Sequence, residues 1–539
     1  MTFKTKTRLE DLAVSLSLSN LLFFRHWQAA LDQSLDYYLD HAPTGTLAAL
    51  FVNVALTALL LFAAGQMVRT SSSKWLKTAA RYFLLLLVFT SLLGLVYAAI
   101  NKQLPGSPAS HAMWLLVAGT TLLAFAAWNV QLFRLARVAC LLLFPFVLLI
   151  AVQAGIKLWS YHANPLAFSP QSLRPQGQPA QPASQLRVLW VVFDEMDREI
   201  AFDRQLDKLS LPNLSRFRAE SFSGRNASPP SDQTSSAIPS LLRGELVHEV
   251  KAVNSRRLDL RLKAGDVVEF SSRGTIFEWA RVHGHDSAVL GWYHPYCRVL
   301  DSASTCIAYS VPSTMAVSLG GEGFVPDVTH HFRYLLRWHT SRLFQHSELS
   351  AELPRDRSHH QVLQHLRSAA LHELSQPWSG LFFLHLNVPH PPGIYNRKLG
   401  KDTPAGDSSY ADNLVLADEL FGQIREVLEK NVSWDNTAVV VSSDHGWRPK
   451  IWTVAPGFTE EDRRLAESVG SAKTGRRVPF MVKLPHSSQH YRYEPEFNTV
   501  LTRWIIQAIM AGEIRTADDL RQWLDTNREA ENRQLQARH

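Results

Sequence analysis

VLWVVFDE, residues 188–195, is six apolar residues followed by two acids. The apolar part, half of it valine, reads as a strand buried on both faces. A buried strand has no use for carboxylates at its end, whereas a metal site does. Two later segments complete the set. SDQTSSAIPSLLRG (231–244) supplies hydroxyls, and VVVSSDHGW (439–447) is a second apolar strand, ending in Asp444-His445. Strand-end acid, hydroxyl nucleophile and strand-end Asp-His are the parts of a metal-assisted enzyme that attacks phosphate or sulfate esters.

Working outward from 188–195, strands and helices alternate. Helices are expected near 211–220, 275–282, 359–375 and 409–429. Strands are expected at 187–193, 286–291, 382–386, 437–442 and 479–484. The 409–429 helix is amphipathic, with Tyr410, Leu414, Ala417, Phe421, Ile424 and Leu428 on one face. This pattern implies an α/β domain with a mostly parallel central sheet over 186–490, followed by a polar helical extension, 491–539. Ligands in such sheets bind beyond the carboxyl ends of strands, where Asp194, His385 and Asp444 fall.

The N-terminal third is of another kind. Four apolar stretches, 46–68, 82–100, 112–130 and 138–156, lack Asp, Glu, Lys and Arg, and each approaches or exceeds the roughly 20 residues that cross a bilayer. They define a multi-span α-helical membrane domain over 46–160. Arg69, Lys74, Lys77 and Arg81 follow the first stretch, and Arg134 and Arg137 lie in an expected loop between the third and fourth. By the positive-inside rule both loops are cytoplasmic, so residues 157–539 lie outside the cytoplasm. Residues 1–45 hold either a fifth, poor span (10–31) or an interfacial helix. Five prolines among Gln, Ser and Ala make 161–185 an extended tether.

The chain of 539 residues has a net charge of +7, which the loop cations partly explain and which calls for no nucleic acid. Of the three cysteines, Cys140 lies in a span, and Cys297 and Cys306 are expected to form a disulfide in the exported part, the alternative being two free thiols.

Asp444, His445 and Asp194 can reach one cation from two strand ends, and oxygen and nitrogen ligands suit zinc or manganese. Glu195 is either a further ligand or a group that orients one. Asp197 reads as a solvated loop acid. Among the hydroxyls of 228–240, Thr234 lies just before a helix whose first turn Pro239 would fit, and a helix N-terminus there favours an anion.

These segments resemble the alkaline phosphatase superfamily in its sulfatase-like branch. LPNLSRF (211–217) is similar to a helix after the first metal strand, and TSSAIPSLLRG (234–244) has the signature spacing, with the nucleophile ten residues before Gly244. By this resemblance Thr234 is the nucleophile. Sulfatases carry Cys or Ser there, followed by Pro and Arg, which this chain lacks. The sequence is closer to membrane-bound envelope phosphoethanolamine transferases and lipoteichoic acid synthases, which use an unmodified Thr. HLNVPHPP (385–392) has the spacing of their substrate-binding histidines, His385 and His390. In RRVPFMVKLP (476–485), Arg477 replaces a usual His. Arginine binds a phosphoryl oxygen but does not exchange a proton, so leaving-group protonation falls to His390 or water.

The resemblance implies a bacterial inner-membrane enzyme with an extracytoplasmic catalytic domain. It would use a divalent metal and transfer a phospho-substituent from a phospholipid donor to a lipid or glycan acceptor. The alternatives are an ester hydrolase using the same residues, and a catalytically inactive scaffold. Oligomeric state is not expressed in the sequence.

Overall fold

A computed structural model describes residues 3–103, 109–169, 186–203, 209–310, 323–340, 354–403, 407–449, 458–469 and 477–536. The chain divides into two units. One contains residues 1–32, 42–165 and 313–346, and the other 33–41, 166–312 and 347–539.

The first unit is helical: α1 (Phe3–Leu22), α2 (Phe24–Leu31), α3 (Thr44–Thr70), α4 (Lys74–Gln103) and α5 (Ala109–Ala163), joined by the helix Phe324–Thr340. Two described stretches, Thr44–Thr70 and Gln131–Ala163, are long and apolar enough to cross a membrane. The expected spans 82–100 and 112–130 fall largely on helical residues whose side chains lie outside the description. The expected loop at Arg134 and Arg137 is corrected: α5 runs unbroken through both for 55 residues. The segment QLFRLAR contains no helix breaker, and Arg137 is neutralised by Glu10 and Asp11 of α1 at 3.2 and 2.9 Å. The 10–31 stretch is two helices, with Val14 and Leu18 buried against Leu85, Val88, Ala136 and Cys140. Residues 170–185, the core of the expected tether, lie outside the described residues, and the helix α5 and a short 3-10 turn (Pro165–Phe168) occupy the stretch before them.

The second unit is built on an eight-stranded sheet. Its strands are β1 (Arg187–Asp194), β2 (Phe222–Gly224), β6 (Ser287–Tyr293), β7 (Thr305–Ser310), β8 (Gly380–Pro389), β9 (Thr437–Ser443), β10 (Phe480–Lys483) and β11 (Tyr491–Tyr493). A separate antiparallel sheet holds β3 (Val247–Ala252), β4 (Leu258–Leu262) and β5 (Val267–Glu269). The large sheet has the order β11-β2-β10-β9-β1-β8-β6-β7. Strands β9, β1, β8, β6 and β7 are parallel, whereas β10 is antiparallel to β9 and β2.

Strand β1 is central and fully covered. Val188, Trp190 and Val192 enter one apolar core, and Leu189, Val191 and Phe193 enter the other, as the two-residue side-chain period demands. Helices α6 (Pro212–Ala219), α7 (Thr234–Arg243), α8 (Ile276–Val282), α9 (Pro354–Ser375) and α10 (Tyr410–Lys430) follow in the chain. A capping box between Ser409 and Asp412 starts α10, and its buried Leu414, Phe421, Ile424 and Leu428 cover one sheet face.

The last 49 residues are more than an appended helix pair. Strand β11 lies in the sheet, and the helices Thr502–Met510 and Ala517–Gln536 place Ile505, Ile506, Leu520 and Leu524 in the same core as Val188. Cys297 and Cys306 form a disulfide.

Candidate active site

Strand register assembles the site. Phe193 of β1 pairs with Ser443 of β9, and Val192 with His385 of β8. Parallel strands in this register end together, so Asp194 and Asp444 emerge side by side with His385 next to them. Asp194, Glu195, His385, Asp444 and His445 are all wholly buried, and Thr234 and His390 are nearly so.

Thr234 arrives from α7, of which it is the first residue. The expectation that Pro239 stands in the first turn, with Thr234 just before the helix, is corrected. The first turn closes on the Gln233 carbonyl, which accepts from Ser236 and Ala237 main-chain N–H groups, and Pro239 stands in the second turn. At the other end Gly244 takes φ +67° and ends the helix, with its N–H donating to the Ser240 carbonyl at 2.8 Å. A Cβ there would lie 2.3 Å from Trp504 Nε1, so both backbone and space demand glycine.

The Thr234 hydroxyl lies 3.1 Å from His445 Nε2 and 3.4 Å from Asp194 Oδ2. His445 Nε2 also lies 3.3 Å from Asp444 Oδ2 and 3.7 Å from Asp194 Oδ1. The Gly446 carbonyl accepts a hydrogen bond from His445 Nδ1–H at 3.0 Å, which leaves the Nε2 lone pair facing the acids. His385 Nε2 is 3.7 Å from Asp194 Oδ2, and its Nδ1 meets the Tyr296 hydroxyl at 2.8 Å.

Asp444 Oδ1 accepts from the Glu195 and His445 N–H groups at 3.0 and 2.8 Å. Its Oδ2, like His385 Nε2, is buried without a hydrogen-bond partner among the described residues. Such orphaned atoms cost stability unless another group meets them.

The electrostatics are equally unbalanced. Burial, then the neighbouring Asp444 and Glu195, push Asp194 well above the usual carboxylate range. Burial raises Asp444 to about 6. Burial also lowers His445 to about 4 and His385 well below its usual value, keeping both imidazoles neutral. Three buried carboxylates beside neutral imidazoles, with two orphaned donor atoms pointing inward, fit a divalent cation. The ligand atoms of Asp194, His385 and Asp444, and those of Asp194, Glu195 and His445, each lie within 4.8 Å of one another.

Glu195 is chiefly engaged elsewhere. Its Oε1 accepts from Arg448 N and Nε at 2.8 and 3.2 Å, and its Oε2 lies 3.5 Å from His390 Nε2. It is held at φ +66°, with its carbonyl receiving the Tyr410 hydroxyl at 2.8 Å. A left-handed glutamate at a strand end is strain retained where function resides. Asp197, expected in solvent, is instead buried and accepts from the Glu199 and Ile200 N–H groups at 3.0 and 3.2 Å, capping the turn after β1.

Arg477 is not brought to the cluster. Its side chain is exposed, and its carbonyl accepts from Arg198 N–H at 3.0 Å. The cation beside the acids is Arg448, which the sequence reading passed over. The available signal was its place four residues after Asp444 in the same loop. Also unforeseen were Tyr296 behind His385 and the Trp292 ring 5.1 Å from His390.

A protein-family model described as Sulfatase matches residues 187–503. No curated protein is similar enough in sequence to match. Among solved structures, the chain is similar to the PsFucS1 sulfatase from Pseudoalteromonas sp., at 12% identity and TM-score 0.39, covering 61% of this chain and 68% of that one. It is similar to the phosphonate monoester hydrolase of Agrobacterium radiobacter at 12% identity and TM-score 0.37, covering 60% and 73%. For a protein in the alkaline phosphatase superfamily from Vibrio parahaemolyticus the values are 9% and 0.37, covering 64% and 72%.

Proposed function

The chain belongs to the sulfatase family, and from that premise we propose a membrane-anchored, metal-dependent phosphotransferase. It moves a phosphoethanolamine- or phosphoglycerol-like group from a phospholipid to a lipid or glycan acceptor of the bacterial envelope. The observation that carries this reading is the Thr234 hydroxyl, set at the start of α7 within 3.1 Å of His445 and 3.4 Å of Asp194.

A divalent ion held by Asp194, Asp444, His445 and Thr234, with His385 or Glu195 beside it, would favour the ionised Thr234 oxygen and offset charge on the phosphoryl oxygens. Thr234 Oγ1 forms a bond to phosphorus as the bond from phosphorus to the lipid glyceryl oxygen breaks. That oxygen takes a proton from His390, whose Nε2 lies 3.5 Å from Glu195 Oε2. Diacylglycerol departs and leaves a phospho-substituted Thr234. An acceptor hydroxyl then gives its proton to His390, bonds to phosphorus, and releases the Thr234 oxygen. The N-terminal end of the α7 dipole favours the anionic group throughout. Arg448 steadies Glu195 and the loop that carries Asp444.

The apolar helices Thr44–Thr70 and Gln131–Ala163 support attachment to a membrane, which would bring a lipid donor within reach. The Cys297–Cys306 disulfide suits a catalytic unit outside the reducing cytoplasm.

High-resolution mass spectrometry of the Thr234 peptide, from wild type and from His390→Ala purified out of membranes, tests the reading. A phosphoethanolamine or phosphoglycerol adduct on Thr234 is expected, enriched in the variant. A bare phosphate or a sulfate would replace the transferase by an ester hydrolase. An unmodified Thr234 in both would remove the covalent step.

A further inference from the structure

The helix Phe324–Thr340 has its sides reversed. In sequence it falls between β7 and α9 of the catalytic unit, yet it belongs to the helical unit. Its polar side is the buried one: Asp327 and His331, one turn apart, have no exposed surface. Its outward side is apolar. Val325 is 72% exposed and Leu336 65%, and Phe324 and Phe332 are exposed too. Val325, Phe332 and Leu336 follow one another at seven and four residues, which places them on one stripe of a helix with 3.6 residues per turn. A helix bathed in water turns such a stripe inward and its acid outward.

The polar side docks on α3. A Cβ on Gly45 would lie 3.0 Å from the Phe324 nitrogen, so the two backbones meet closely there. The Thr46 hydroxyl donates to Asp327 Oδ2 at 2.5 Å. Asn53 Nδ2 donates to the Val328 carbonyl at 3.0 Å and lies 3.2 Å from His331 Nδ1. The His26 ring of α2 closes this side, 5.2 Å from the ring of His331 and 5.3 Å from that of Tyr334. Both chains advance together through these contacts, so the helix runs alongside the first turns of α3 in the same direction. At equal rise per residue Leu336 comes level with the turns after Asn53, where α3 exposes Leu56, Leu59 and Leu60. The stripe therefore continues the apolar surface of a helix long and apolar enough to cross a membrane. Lipid is the surrounding that suits both sides: polar side chains in hydrocarbon pack against neighbouring helices, and a helix satisfies its own backbone. Arg333, exposed at the flank of the stripe, has a stem long enough to carry its charge toward headgroups.

We propose that the helix Phe324–Thr340 is a lipid-facing element of the membrane unit, packed along α3 with Val325, Phe332 and Leu336 among acyl chains. The sequence that forms the catalytic sheet is thereby tied to the bilayer at a second point besides α5. The proposal rests on α3 crossing a membrane, as the functional reading has it, and on nothing in the catalytic centre.

The test places nitroxide labels on full-length protein in nanodiscs of phosphatidylethanolamine and phosphatidylglycerol. Cys297 and Cys306 are bonded, so Cys140→Ser clears the background. Into it go Val325→Cys, Leu336→Cys, Leu60→Cys on α3 and Val282→Cys on the catalytic unit, all at exposed positions where a label disturbs no core. Power saturation compares collisions with oxygen, which concentrates in lipid, against a nickel chelate, which stays in water. Oxygen should dominate severalfold at 325 and 336, as at 60, and the chelate should dominate at 282. Chelate dominance at 325 and 336 with oxygen dominance at 60 would overturn the proposal and leave the membrane reading of α3 standing. Few collisions with either reagent at 325 and 336 would also overturn it, since a protein partner or a second copy would then cover the stripe. Chelate dominance at 60 as well would remove the membrane reading and the proposal together.

Discussion

Two buried ionisable groups flank strand β9, and the protein treats them oppositely. Near its start Lys483 of β10, paired with Val439, is 4% exposed. Its ammonium donates to the carbonyls of Trp434, Thr437 and Leu484 at 3.0–3.2 Å and lies 5.3 Å from the Trp434 ring centroid. Each of its three donors has an acceptor, so the charge is a closed structural device. At the other end Asp444 is just as buried, yet one of its oxygens and the facing His385 Nε2 have no hydrogen-bond partner among the described residues. A fold that satisfies one buried charge and leaves another open beside the same seven-residue strand has placed the second for a ligand.

The contrast is open to attack by mutation. The largest effect is expected from Thr234→Ala, which should lower turnover by about a thousandfold or more while the melting temperature stays within about 2 °C. Loss of fold together with activity would erase the distinction. His390→Gln should cost about a hundredfold in kcat, less than loss of the nucleophile; turnover equal to wild type would shift leaving-group protonation to water. Lys483→Met should do the reverse of the Thr234 variant. It removes three hydrogen bonds to buried carbonyls, at a cost of about 1–3 kcal/mol in stability, and leaves kcat alone.

The smallest effect concerns pH. In the metal-free protein burial raises Asp444 from 3.8 to about 6, and Asp194 shifts the same way. A carboxylate with a raised folded pKa adds stability below its ordinary value, and that stability is lost as pH rises through the folded value. Metal-free protein should therefore lose this contribution between about pH 4 and 6, and added divalent ion should raise the melting temperature more at about pH 7.5 than at about pH 5. Calorimetry showing the larger increment at the lower pH would count against the acids as ligands.

Much of this was legible because it is local. A valine-rich run that stops at an acid carries both strand and site, and β1, β8 and β9 emerged near their expected positions. Their parallel register then brought Asp194, His385 and Asp444 together, as strand ends predict. Less was legible where distant segments decide. The strands β3, β4 and β5 carry charges on an exposed face, as in VHEVKA, and show no long apolar run. Pro239 is a poor marker for the start of α7, because it can stand in a second turn when Gln233 closes the first. Arg448 and Arg477 are alike as letters, and only the loop after Asp444 selects the first. Tyr37 lies some 150 residues before the strand whose core it joins, and no periodicity connects them.

The most direct measurement is the metal content of purified full-length protein by inductively coupled plasma mass spectrometry, with Asp194→Asn, Asp444→Asn and Lys483→Met in parallel. The account predicts a stoichiometric divalent metal in wild type and in Lys483→Met, and its loss from both aspartate variants while they remain folded. Metal retained in Asp194→Asn and Asp444→Asn, or absent from wild type even after dialysis against zinc and manganese, would contradict it.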